Sequence, residues 1–335
     1  MEPGVRKFLL FNQIGSAKAV AVRQVVRSML TRKRHLDARL ELLMSETEFC
    51  AYGMVHRGSV ARHTLPMVLP LGDDNSDRIT FPVVNLILIA VNVFVFVVFQ
   101  GAGSNTVFTL AYATVPAEIV SGDDIVTNDR EITSGSSSGT QRQTLSGLKK
   151  TPIPVYLTLL TAMFMHGGIV HLVGNMWFLW VFGDNIEHDM GRVRYLFFYL
   201  LTGVLAGLTH VALVCRGDGA MVPCLGASGA ISGILGAYLV LHPHRRVMVL
   251  VWEFVAQVPG YVAIGIWFGL QLLGGWISAG GTSDIAFGAH FGGFIAGLVF
   301  AKIFVTGRDV EDEKSSWRDD RRRRKCRAGM TNESE

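Results

Sequence analysis

The sequence predicts an all-α membrane protein, a bundle of six transmembrane helices, from three observations. The first is a series of long uncharged runs. A membrane-spanning helix needs ~20 mostly apolar residues, and six stretches offer this: 81–99, 168–183, 195–215, 228–241, 261–279 and 285–305. The second is composition. Only 17% of the 335 residues are charged and 50% are hydrophobic, with a mean hydropathy of +0.35, whereas a soluble domain carries about 25% charged residues. The third is where the charges sit: in both tails and in the turns between runs. Six such helices in a soluble chain of this length would leave too little amphipathic surface to dissolve it.

Taken in chain order, residues 1–66 carry eleven Lys/Arg against five Asp/Glu and only a weak amphipathic pattern over 20–44. They have no apolar core followed by a small-residue cleavage site, so no cleavable signal peptide is expected. This stretch reads as a cytoplasmic extension dispensable for activity, and 67–306 as the functional core. Span one covers 81–99. The stretch 101–155 is a long external loop, and Ser, Gly, Thr and Gln enrich 134–147, which predicts mobility there. Residues 155–166 are apolar and suit the membrane interface. Span two begins near Gly168. Span four, 228–241, is short and glycine-rich. The chain's 37 glycines suit helices whose backbones approach closely. The charged tail 307–335 is expected to be disordered.

Positive charge in short loops sets orientation. Arg78, Arg192, Arg194, Arg245, Arg246, Arg308 and the Arg321–Lys325 run all fall on one side of a six-span chain. The opposite short loops hold only Arg216, Asp218 and Asp284. Both termini are therefore predicted to be cytoplasmic. Spans two, four and six then run inward from the outer face.

Other classes find little support. A net charge of +4 suggests no acidic partner, and no nucleic acid is expected. Four cysteines show no CxxC spacing for a metal or redox centre, and neither metal nor cofactor is expected. A transporter built from repeated halves would show internal symmetry, which the sequence lacks.

The chemistry lies at the outer starts of three spans. Gly226-Ala227-Ser228-Gly229 places a serine at a helix start, where backbone N–H groups lack internal partners and can face a developing oxyanion. Read alone, it is more simply a small-residue packing face with an incidental serine. His290 lies in Ala289-His290-Phe291-Gly292-Gly293, and an ionisable residue inside a span is costly and usually functional or paired. Gly293 and Gly297 would let its helix pack against the glycine face that follows Ser228, bringing the imidazole within hydrogen-bond reach of the hydroxyl. Serine needs such a base; a histidine bonded to a backbone carbonyl is the alternative. Asp284 and Glu187 are poorly placed to add a carboxylate, so a Ser228–His290 dyad is expected. His171 and Asn175, at i and i+4, face one way. They suit an oxyanion hole beside the Ser228 amide, or else interhelical packing. His166 is placed to hold water or structure at the mouth of the site.

Together these residues resemble the rhomboid family of intramembrane serine proteases. His166-x4-His171-x3-Asn175, Gly226-x-Ser228-Gly229 and Ala289-His290-x2-Gly293 follow the family order, and Glu187-x3-Gly191-x2-Arg194 resembles its motif at the end of span two. Residues 67–75 resemble the opening of many bacterial rhomboids. The resemblance, over about 67–306, implies Ser228 as nucleophile and His290 as base. It implies His171, Asn175 and the Ser228 amide as oxyanion donors, with Gly226 and Gly229 leaving room for substrate. The implied substrates are single-span membrane proteins, cut without a cofactor near small or helix-destabilising residues. Two positions depart from the pattern. Tyr156-Leu157 stands where Trp-Arg is frequent, and Ser232 stands where an aromatic often stacks on the base. A catalytically inactive rhomboid-like binding factor and a small-solute transporter are the rival readings. The sequence leaves open whether Cys215 and Cys224 pair to close the loop before Ser228; Cys224 reads more simply as a small buried residue beside the site.

Overall fold

In an apolar medium every backbone N–H and C=O must be satisfied within the chain, which favours helices. A computed structural model of the chain describes residues 68–74, 80–136, 139–251, 254–277 and 285–307. The N-terminal extension, its 20–44 pattern and the charged tail beyond 307 lie outside the described residues.

The elements run β1 (Val68–Asp73), α1 (Val83–Phe94, continued by a π-turn to Phe99), α2 (Thr106–Tyr112), α3 (Pro116–Ser121), β2 (Arg130–Ser136) and β3 (Gly139–Leu145). Short helical turns over 155–164, including α4 (Thr158–Thr161), lead into α5 (Ile169–Met190) and α6 (Arg192–Val214). The chain continues through α7 (Ser228–Leu241), β4 (Arg246–Val251), β5 (Phe254–Pro259), α8 (Gly260–Ile277) and α9 (Ile285–Val305). Two of these helices are singly long and apolar enough to cross a membrane, Arg192–Val214 and the Phe287–Val305 part of α9. The 155–164 segment and α5 meet the same test only as a pair, bent by 79°. The helices over 83–99, 228–241 and 260–271 are apolar but shorter. The protein is a helical, multi-pass membrane protein.

Three features differ from the sequence reading. The helix of the second apolar run continues past 183 to Met190, because Asp184, Glu187 and His188 are buried against neighbouring elements. The 134–147 stretch, expected to lack structure, pairs in part as an antiparallel hairpin, Arg130 opposite Leu145 through Ser136 opposite Gly139. Strands were not expected elsewhere either, yet β4 and β5 form a hairpin between α7 and α8 that β1 extends to three strands. Val247 and Val249 of β4 are buried against the helices, which draws this apolar stretch into the main core.

α7 is the centre of the bundle: Gly229 through Tyr238 are all buried. Its neighbours approach at backbone distance. A Cβ at Gly293 of α9 would lie 2.0 Å from the Gly229 carbonyl oxygen, and one at Gly297 would lie 2.0 Å from that of Gly233. On the other side, a Cβ at Gly233 would meet Thr202 of α6 at 2.5 Å. Glycine on both faces thus packs α7 between α6 and α9. Polar side chains add fixed points: Asn85 of α1 donates to the Leu179 carbonyl of α5 at 3.0 Å and accepts from the Tyr195 hydroxyl of α6 at 2.7 Å.

Candidate active site

Ser228 is the first residue of α7, and the turn before it is set by Gly226, whose φ is +129°. That conformation suits glycine, and space demands it as well. A Cβ there would lie 3.0 Å from His171 Nε2 and 3.6 Å from Ser228 Oγ. The turn is held from behind. The Gly226 N–H donates to the Ala162 carbonyl at 2.9 Å, and Cys224 pairs with Thr114 through two backbone hydrogen bonds of 2.8 and 3.0 Å. The 101–155 loop, the 155–164 segment and the serine turn therefore fix one another.

α5 contributes His171 and Asn175, one turn apart. Asn175 is buried, and its Nδ2 donor has no hydrogen-bond partner. His166 precedes this helix and is 1% exposed. Its backbone is clamped by the Gln100 side chain, which accepts from its N–H and donates to its carbonyl, both at 2.9 Å. Its ring meets that of His171 edge-on, with centroids 5.2 Å apart. α9 contributes His290. The expected hydrogen bond between Ser228 and His290 is absent. The imidazole instead meets Gln271 of α8, with Nδ1 and Oε1 3.0 Å apart, while Ser228 Oγ makes no hydrogen bond among the described residues.

All of these groups except His166 line one cavity of about 290 Å3, together with Thr114, Met163, Trp267 and Gln271. Its walls are mostly apolar, with a few convergent polar groups, the usual constitution of a ligand site. His166 does not line the cavity; its ring packs against that of His171. Gly229 faces Ala206 and the α9 backbone and serves helix packing. Cys215 and Cys224 carry free thiols, which answers the pairing question the sequence left open.

Besides Gln271, sequence reasoning missed a histidine of this cavity. His210 of α6 is fully buried, neither ring nitrogen has a partner, and it lines the same cavity. The signal was an ionisable side chain inside an apolar run, the rule that had singled out His290. Among the described residues, no three His, Cys, Asp or Glu side chains converge as a metal-ligand set.

Fold and site together define a multi-pass helical membrane protein with a serine and histidines around an internal cavity. The rhomboid domain matches residues 154–307, from the turns before α5 to the end of α9, a narrower span than 67–306. Rhomboid protein 1, mitochondrial, of Saccharomyces cerevisiae is 30% identical over 159 residues, covering 46% of this chain and 43% of that protein. RHOMBOID-like protein 12, mitochondrial, of Arabidopsis thaliana is 35% identical over 163 residues, covering 44% and 46%. Rhomboid protease GluP of Bacillus subtilis is 29% identical over 170 residues, covering 50% and 30%. The chain spans less than half the length of these relatives. Over residues 154–307 it carries a rhomboid domain.

Proposed function

We propose that this chain is an intramembrane serine endopeptidase acting through Ser228 and His290. One observation carries the reading: Ser228, His290, His171 and Asn175, from three helices, line one cavity. In this mechanism His290 Nε2 takes the proton from Ser228 Oγ as Oγ bonds to the substrate carbonyl carbon. The developing oxyanion is met by the Ser228 N–H, which has no intrahelical acceptor at the first helical position, by Asn175 Nδ2 and by His171. His290 then returns the proton to the departing amine as the C–N bond breaks. Water, deprotonated in turn, cleaves the acyl-enzyme. Family logic admits such a dyad by role.

The remaining parts of the proposal follow from bilayer physics. All six apolar helices span, with both termini on the cytoplasmic side. α7, at 14 residues, rises only ~21 Å against a ~30 Å hydrocarbon core. Ser228 then lies below the outer surface, where water enters through the cavity. Substrates are single-span membrane proteins. Their helices must unwind to expose a carbonyl, which small or helix-breaking residues ease. The functional core is 67–306, the extension 1–66 is dispensable, and the membrane is a bacterial plasma membrane. The mitochondrial names of two relatives make an organelle membrane the competing location.

A second reading, an inactive rhomboid-like binding factor, is favoured by the missing Ser228–His290 hydrogen bond. Apo catalytic hydrogen bonds are often long and tighten only with substrate, so the protease reading stands first. The test is incubation of the purified chain in liposomes with single-span reporters and a fluorophosphonate probe, beside Ser228→Ala. Cleavage and labelling by wild type alone support the protease. Reporter binding with neither supports the second reading.

A further inference from the structure

We propose that Gln271 is a positioning residue that holds His290 in the tautomer the serine reaction needs. The inference rests on the protease reading above. A histidine base works only if its reactive nitrogen is unprotonated, and which nitrogen carries the proton is set by the hydrogen bond the other one makes. A nucleophile–base pair therefore usually has a third group that orients the base. The sequence offered no carboxylate for this task. The position from which an aromatic would stack on the base is Ser232, whose hydroxyl donates back to the Ser228 carbonyl at 2.7 Å.

The structure supplies the third group from a helix that had carried no assigned chemistry. Gln271 Oε1 lies 3.0 Å from His290 Nδ1. Among the described residues it is the only hydrogen-bond partner of the ring, and the ring is the only partner of the amide. Trp267, one turn earlier on the same face of α8, flanks the imidazole with ring centroids 6.2 Å apart at 45°. The carbonyl accepts from Nδ1–H, and Nε2 keeps its lone pair for the Ser228 proton.

An amide suits this place physically. It stays neutral, so burial costs less than for a carboxylate. Once Nε2 has taken the Ser228 proton, the ring is cationic and the Nδ1–H···Oε1 bond is charge-assisted and stronger. The interaction thus favours the transition state over the resting enzyme. Gln271 itself gains and loses no proton. The other titratable groups lining the cavity are His171 on α5, His210 on α6 and Cys224 before α7; none of its lining residues is Asp, Glu, Lys or Arg.

The experiment compares wild type, Gln271→Leu, Gln271→Asn and Gln271→Glu in liposomes, by reporter kinetics against pH and by 15N NMR of the His290 ring. Gln271→Leu should lower kcat by ~10–100-fold, the usual scale for a supporting partner, with KM within about twofold. Its ring should also lose the Nδ1–H preference seen in wild type. Gln271→Asn, one methylene short, should behave alike, and stands in if the leucine variant does not fold. Gln271→Glu restores an acceptor, so kcat should recover. Its carboxylate favours the protonated imidazole, so the acid limb of the kcat/KM profile should move to higher pH. Wild-type kcat, acid limb and tautomer in both Gln271→Leu and Gln271→Asn would overturn the inference while leaving the dyad intact. A wild type that neither cleaves nor labels would remove the dyad, and this inference with it.

Discussion

The two ends of α7 treat their polar groups in opposite ways. At its C-terminal end they pair with one another. Tyr238 donates to Asp73 Oδ2 at 2.7 Å, Asn185 donates to the same oxygen, and Arg245 donates to Asn185 Oδ1 and to the Asp74 carbonyl. Asp189 contacts His242 at 2.5 Å, and Glu187 accepts the first free N–H groups of α1, from Val84 and Asn85, at 3.0 and 2.7 Å. At its N-terminal end, Asn175 Nδ2 and both nitrogens of His210 have no partner, while His171 and Ser228 face a cavity. Unpaired buried polar groups are expensive, and most native ones are satisfied. A cluster that closes on itself fastens elements together. A cluster left open beside a cavity is set for water or a ligand. Both ends are polar in sequence, and only the pairing tells them apart.

Substitutions at the open end should break activity and spare the fold. Ser228→Ala and His290→Ala should each reduce reporter turnover by ~10³-fold or more. The double variant should lose little beyond either single one, because the two act as a unit. Thermal unfolding should stay near wild type. Full proteolysis by Ser228→Ala would remove the distinction between the two ends. Next in size, Asn175→Ala should cost ~10²–10³ in kcat, the scale for one oxyanion donor, and His171→Ala should act in the same direction. Normal kcat in both variants would move that pair to the packing class.

The closed end should respond in reverse. Glu187→Ala strands two N–H groups at the start of α1 and should cost about 1–3 kcal/mol of stability. Tyr238→Phe, which removes one hydrogen bond to a carboxylate, should cost about 1.5–3 kcal/mol. For both, kcat of the folded enzyme should stay within about twofold at a permissive temperature. A Tyr238→Phe enzyme of wild-type stability with a collapsed kcat would show the two ends to be coupled.

Much of the open end was legible. Rare polar residues inside apolar runs point to function because lipid-depth burial makes them costly, and this rule reached Ser228, His290, His171 and Asn175. The glycine pattern also gave the α7–α9 approach, since backbone contact requires residues without side chains at Gly229, Gly233, Gly293 and Gly297. Three things were not legible. Gln271 is uncharged and one of many residues on a helix, and only its 3.0 Å approach to His290 marks it. β1 and β4 pair across more than 170 residues of chain, and no local pattern encodes a partner that distant. The charged residues 184–189 read as the end of a span because their burial depends on partners from β1, α1 and the turn after α7.

The smallest effect lies in the 101–155 loop, where one group fits neither end. Glu118, in the first turn of α3, is 1% exposed. Its Oε1 accepts the Ile125 N–H at 3.1 Å, while Oε2 has no partner. Burial holds its pKa above the usual carboxylate range, the Ile125 N–H partly opposes this, and nearby Asp124 adds to the rise. A folded-state pKa above the unfolded one means that the native state binds this proton more tightly. Stability from this group is therefore fully present below the unfolded value of about 4.5 and declines as pH rises through the folded pKa. Glu118→Gln keeps the shape and the acceptor for Ile125 but cannot ionise. It should match wild type near pH 4 and exceed it at pH 7–8, with a Tm gain of about 1–2 °C, below the ~2–4 °C that 1 kcal/mol gives a domain of 150–250 residues. Melting curves of the two proteins across pH 4–8 test this. A gap that is constant, or widest at low pH, would show that the buried carboxylate is not what separates them.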